Sequence, residues 1–192
     1  MREWLLLIYK IPPEPTRYRA SVWRKLKAAG AVYLQNGVAA LPADASGERA
    51  MRGIVEEIRT MQGTAHLLKS MSLGDETDVL AAFNAARESE YKELLDRCRD
   101  FHAELEKERG IGNFTFAELE ENEDDLHKLE AWYGKIKTRD RFAVALRTQA
   151  EHELTACRDD LERFSQSVYT AVDHGSASVT DENGSPGEAT TG

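Results

Sequence analysis

Five cations crowd one short stretch of the chain: Arg17, Arg19, Arg24, Lys25 and Lys27, with Tyr18 and Trp23 set among them. Guanidinium and ammonium groups at this density bind phosphate oxygens, and interleaved aromatic rings stack on bases. The stretch is a candidate nucleic-acid-binding face. The plainer account is a solvated helix face, with Trp23 in the core and the arginines paired to acidic helices. Other chemistry is thinner. Cys98 and His102 stand four residues apart, which puts thiol and imidazole on one helix face, and His152 and Cys157 are also close. A metal site needs a fuller ligand set than either pair offers, so a packed cysteine beside a surface histidine is expected. The carboxylates of Glu118-Leu-Glu-Glu-Asn-Glu-Asp-Asp125 meet only one histidine at helical spacing, His127. A di-metal carboxylate bundle repeats that pattern on facing helices. An acidic helix start is the simpler reading, because anions are favoured near a helix N-terminus. No phosphate-cradling glycine loop follows a strand, and no Gly-x-Ser-x-Gly elbow is present. No enzyme activity and no cofactor are expected.

The elements that must position the cations alternate in type. Trp4-Leu-Leu-Leu-Ile-Tyr9 is a short apolar run, which predicts a buried central strand. Pro12, Pro13 and Pro15 break regular structure. Thr16 to Ala29 has helical spacing, with Val22, Trp23 and Leu26 on one face, and Gly30 stops it. Ala31–Leu34 and Val38–Leu41 are short strands around Asn36-Gly37, a tight-turn pair. Met51, Ile54, Val55 and Ile58 predict a second helix over 47–62, ended by Gly63. Ala65–Met71 is the last strand. The order β-α-β-β-α-β is the ferredoxin-like arrangement.

Beyond Gly74 the texture becomes helical. Tyr91, Leu94, Cys98, Phe101 and Leu105 step by 3 and 4, as do Leu154, Cys157, Leu161, Phe164 and Val168. Between them, Thr115-Phe-Ala-Glu118 is a capping-box pattern that opens a middle helix. The expected fold class is therefore α+β: a ferredoxin-like unit at 1–74, then an acidic helical hairpin or three-helix bundle at 75–174. The tail at 175–192, polar and short of large apolar residues, is expected to be disordered.

Charge is divided the same way. The 192 residues carry a formal net charge of −9, which taken whole argues against a generic nucleic-acid binder. Residues 1–72, however, hold 11 Lys and Arg against 6 Asp and Glu, a net of +5. Residues 73–174 hold 14 against 25, a net of −11. Any DNA contact must come from the N-terminal unit, with the acidic helices turned away. The longest apolar run is far short of the roughly 20 residues that span a bilayer. No secretory signal opens the chain and the two cysteines form no short motif, so a cytoplasmic setting and no membrane are expected.

Three stretches carry a family resemblance. Trp4-Leu-Leu-Leu-Ile-Tyr9, Arg17-Tyr-Arg-Ala-Ser-Val-Trp-Arg-Lys-Leu-Lys-Ala-Ala-Gly30 and Gln35-Asn-Gly-Val-Ala-Ala-Leu-Pro42 resemble the N-terminal domain family of the chromate-resistance regulator ChrB. Gly112-Asn-Phe-Thr-Phe-Ala-Glu-Leu-Glu-Glu-Asn-Glu-Asp-Asp125 resembles that family too, and the likeness runs over roughly residues 3–170. More distantly, the chain is similar to the Cas2-like domain of PaaX-type repressors, where a strand is also followed by an Arg-rich helix, a glycine and a hairpin. The resemblance implies a regulator of a chromate efflux operon. Longer members carry a C-terminal domain associated with chromate response where this chain has its polar tail, so direct chromate sensing is not expected. Nucleases of the Cas2 type hold a metal with an acid at the end of the first strand. Tyr9-Lys10-Ile11 stands there in this chain, and Glu14 is the nearest acid. A metal-dependent nuclease is not expected.

The leading expectation is a transcriptional regulator, a homodimer, that binds operator DNA through Arg17, Arg19, Arg24, Lys25 and Lys27. The alternative is a dimeric adaptor without nucleic acid. Its sign would be Arg17 and Arg19 buried in ion pairs with acidic helices.

Overall fold

A computed structural model describes residues 2–178, with side chains through His174. Its elements are β1 (Glu3–Lys10), α1 (Arg17–Ala29), β2 (Val32–Gln35), β3 (Val38–Pro42), α2 (Ala45–Thr60), β4 (Thr64–Met71), α3 (Thr77–Ile111), α4 (Phe116–Arg139) and α5 (Leu146–Ser178). The fold class is α+β. The four strands form one antiparallel sheet in the order β2-β3-β1-β4, so β1 is central, as its unbroken apolar run predicts.

Alternation along β1 assigns its two faces. Leu5 and Leu7 join Val22 and Leu26 of α1, Met51, Ile54, Val55 and Ile58 of α2, and Ala39 and Leu41 of β3 in the core under the two helices. Each of these Leu, Val, Ile and Met side chains, fully buried, contributes about 1.5–3 kcal/mol. Trp4 points the other way and packs with Val32, Ala40 and Phe83. Its indole stacks on Phe83 at 5.4 Å, and Phe142 meets Phe83 edge-on at 5.5 Å.

Local signals place the ends of the elements. Gly30 takes φ +82° and closes α1 by donating to Lys27 O. Gly37 takes φ +75° at the hairpin, where a Cβ would lie 2.6 Å from Tyr9 O. Helix α2 starts earlier than its apolar spacing predicts, because Asp44 caps it by accepting from Gly47 N at 2.7 Å. At its other end Gln62, not Gly63, adopts the left-handed conformation. Thr115 Oγ1 accepts from Glu118 N at 3.3 Å, while the Thr115 amide goes to Asn113 O rather than to the Glu118 carboxylate.

By packing, the chain forms two compact units, divided elsewhere than at Gly74. One comprises the chain up to Lys92 with Gly134–Arg147; the other comprises Glu93–Tyr133 and the chain from Thr148. The start of α3 belongs with the sheet because Val79, Leu80, Phe83 and Ala86 pack against the Trp4 cluster, and Phe142 is drawn in with them. The second unit is three-helical. The seams read from spacing are its core: Leu94, Cys98, Phe101 and Leu105 on α3, and Leu154, Cys157, Leu161, Phe164 and Val168 on α5 are buried. Helix α5 continues to Ser178, four residues into the expected tail, and the rest of that tail lies outside the described residues. Among the described residues no helix is long and apolar enough to cross a membrane.

Candidate nucleic-acid interface

Val22 and Leu26, four apart, are the two α1 side chains buried against the sheet, and they fix which way the helix faces. At 3.6 residues per turn, Arg17 and Arg24 then stand on the outward face, seven residues apart. Trp23 and Lys27 share one flank, and Ser21 and Lys25 share the other. All five predicted cations are exposed.

Their surroundings differ. Lys25 is paired with Glu57 of α2, which also accepts from Ser21 Oγ at 2.7 Å. Burial raises the Glu57 carboxyl, but the bonds from Lys25 and Ser21 outweigh it and hold the group below its ordinary range. Arg19 Nη2 donates to Pro13 O at 3.1 Å, which ties the helix entry to the proline loop. The Arg17 guanidinium lies 5.7 Å from the Tyr18 ring centre. Among the described residues, Arg17, Arg24 and Lys27 enter no ion pair with an acidic side chain. The structure thus brings three of the five together as an open row and engages the other two at its margins.

Trp23 is not in the core. It is 50% exposed, and Lys27 Nζ stands 5.4 Å from its ring centre. The reason is rotational: the buried stripe runs through Val22 and Leu26, and Trp23 falls one step outside it. An exposed aromatic beside unpaired cations suits a planar ligand carrying phosphates.

The remaining candidates are placed as follows. His127 and the acidic start of α4 at Glu120, Glu121, Glu123, Asp124 and Asp125 are exposed. Among the described residues no three His, Cys, Asp or Glu side chains converge as a metal site. His152 is exposed and plays no part at Cys157. His102, which the spacing pairs with Cys98, instead meets Cys157: its Nε2 is 3.4 Å from the thiol, and its Nδ1 is 2.7 Å from Asp160 Oδ2. Sequence reasoning missed this grouping. Only the register between α3 and α5 reveals it, although Cys157 and Asp160 already share a helix face at i,i+3.

Comparison with known proteins agrees with the resemblance seen in the sequence. The chain is 28% identical over 121 residues to Protein ChrB of Cupriavidus metallidurans. The match covers 62% of this chain and 34% of that protein, so the chain spans about a third of its relative's length. The family model for the N-terminal region of Protein ChrB matches residues 19–175, from within the basic helix to the end of the helical unit. On that match, the chain belongs to the ChrB N-terminal family.

Proposed function

We propose that the chain is a non-enzymatic, cytoplasmic regulator of a chromate-resistance operon, and that it binds DNA through the outward face of α1. Family membership supports the role in chromate resistance. The observation that carries the DNA reading is the open row Arg17, Arg24 and Lys27 with half-exposed Trp23 beside it. The adaptor reading required Arg17 and Arg19 to be buried against acidic helices, and both are exposed. Arg17 and Arg24 grip phosphates, Lys27 adds charge, and Trp23 lies against a sugar or base. Lys25 and Arg19 brace the helix, through Glu57 and Pro13, rather than lead the contact.

Anisotropy of labelled duplex from the operon's regulatory region, titrated with protein at two salt concentrations, tests the reading. Three phosphate contacts give a log–log salt slope of roughly −2.7. Arg24→Glu with Lys27→Glu lowers affinity by more than about tenfold at low salt. Absence of binding at low salt, or binding unchanged in the double variant, overturns it.

A dimer draws on a different feature. Ile8 and Leu68 lie on the same sheet face as Trp4, beyond the cover of α3, and are 41% and 48% exposed. An uncovered apolar corner suits a second copy of the chain. Sedimentation of wild type against Ile8→Glu checks it: the variant runs as monomer.

A further inference from the structure

Four side chains come together where α3 faces α5 in the helical unit. Cys98 and His102 stand one turn apart on α3, and Cys157 and Asp160 one turn apart on α5. Both thiols are fully buried, and because His102 reaches Cys157, the Cys98 thiol, one turn before His102 on the same face of α3, lies beside that level of α5. Beside them, His102 Nε2 lies 3.4 Å from Cys157 Sγ. The other ring nitrogen, Nδ1, lies 2.7 Å from Asp160 Oδ2, and Asp160 is itself anchored by Arg109 Nη2 at 2.6 Å. Of the four, His102 reaches solvent most, at 28%.

The geometry sets the proton positions. A carboxylate at Nδ1 holds the proton there, which leaves the Nε2 lone pair facing the Cys157 thiol. A proton passed from the thiol to Nε2 gives an imidazolium between Asp160 and Glu153, whose Oε1 is 3.7 Å away. Hydrogen bonding within the dithiol lowers the Cys98 thiol, and the same bond together with burial pushes Cys157 up. The two thiols titrate as one pair, and the proton the pair gives up passes to Nε2 beside Cys157. Packing alone would explain two buried cysteines, which are inert as a class. It does not explain an anchored carboxylate and an imidazole aimed at one of them.

We propose that Cys98 and Cys157 are a thiol redox site, oxidised by a small hydroperoxide to a disulfide that joins α3 to α5, with His102 as proton acceptor and Asp160 as its positioning residue. In the first step a thiolate sulfur attacks a peroxide oxygen. The O–O bond breaks, the sulfur becomes a sulfenic acid, and the departing hydroxide takes the imidazolium proton as water. In the second, the other thiol attacks the sulfenic sulfur. The S–O bond breaks and a second water leaves with that thiol's proton. Two thiols and one hydrogen peroxide give one disulfide and two waters. The disulfide forms when the two sulfurs approach to about 2.05 Å. The site lies wholly in the helical unit and does not depend on DNA binding.

The test treats the reduced full chain with hydrogen peroxide, then counts thiols and measures intact mass after denaturation. Both thiols disappear together, the mass falls by two hydrogens, and dithiothreitol reverses both changes. In Cys98→Ser, dimedone traps a sulfenic acid on Cys157. His102→Gln slows oxidation by about tenfold or more, and Asp160→Asn slows it as well, which keeps the test open should one variant misfold by circular dichroism. Thiols untouched at peroxide levels that oxidise free glutathione overturn the proposal. So do disulfides formed only between chains, or equal rates in folded His102→Gln and wild type.

Discussion

Arg139 Nη2 stands 3.1 Å from Glu90 Oε1, with both side chains largely buried in the sheet-containing unit. Arg87 Nε lies 3.3 Å from the other carboxylate oxygen, so one anion is held between two guanidiniums. Burial lowers the Arg87 guanidinium, and the charge of Glu90 opposes that shift. Next to this cluster, Tyr91 Oη donates to Asp140 Oδ2 at 3.3 Å. These contacts fasten the residues after Gly134 to the start of α3.

Removing the shared anion strands two cations out of water. Glu90→Ala is expected to cost about 3–5 kcal/mol, the usual penalty for breaking a buried pair from one side. Urea unfolding followed by circular dichroism reads the cost as a lower midpoint. Replacing Arg87, Glu90 and Arg139 together by apolar residues of similar volume is expected to cost much less than Glu90→Ala alone, because no charge is left unpaired.

Arg139 also presses on the end of α1. A Cβ built on Gly30 would lie 3.1 Å from Arg139 Cβ, and Gly30 already has φ +82°. Gly30→Ala meets both the left-handed penalty and this contact, and is expected to destabilise by roughly 1–2 kcal/mol. Gly74→Ala is the control: nothing lies within 4 Å of its Cβ, and its midpoint should hardly move.

The element order was legible because it rests on spacing. The period of the apolar residues, the Asn36-Gly37 turn and Gly30 each act within a few residues of themselves. The unbroken run Trp4 to Tyr9 also announced that both faces of β1 are covered, which holds up to Leu7 but not at Ile8. It could not say by what. The second cover is Phe83 and Phe142, contributed by segments some 80 and 140 positions along. The five cations were legible as a cluster, while the partition among them was not. Lys25 is drawn off by Glu57, a residue 32 positions away. Trp23 was misread because a helical stripe is about two residues wide, and a large aromatic at its edge looks like core until the sheet fixes the rotation.

Asp44 gives a pH-dependent test. Its carboxylate accepts from Gly47 N, then from Ser46 Oγ at 2.9 Å, and pairs with Arg141 at 2.8 Å. These contacts, with the Gly47 amide foremost, outweigh burial and hold the group below its ordinary value of 3.8. A carboxyl depressed in the folded state adds stability that is full above the unfolded pKa and is lost as pH falls through the folded one. Asp44→Ala is expected to cost about 1 kcal/mol at neutral pH. The deficit should persist down to about pH 5 and shrink below pH 4. Asp44→Asn retains the cap but not the charge, so its stability should vary less with pH across that window. Thermal melts at half-unit steps from pH 2.5 to about 7 separate the two effects.

Trp23 supplies the last prediction, which bears on both the fold and the interface. Trp4 is buried in a ring stack, whereas Trp23 is half exposed beside Lys27 and one step from Arg24. Trp4→Ala is expected to cost about 3–5 kcal/mol, and Trp23→Ala to change stability by no more than about 0.5 kcal/mol. The emission lost in Trp23→Phe isolates this indole. A positive local field concentrates anions and repels cations. Iodide should therefore quench that component well and caesium poorly. Added inert salt should narrow the difference as it screens the field. Lys27→Glu should narrow it further by reversing the nearest charge. Equal quenching by the two ions would mean that α1 presents no positive field at Trp23, and the DNA reading would lose its basis with it.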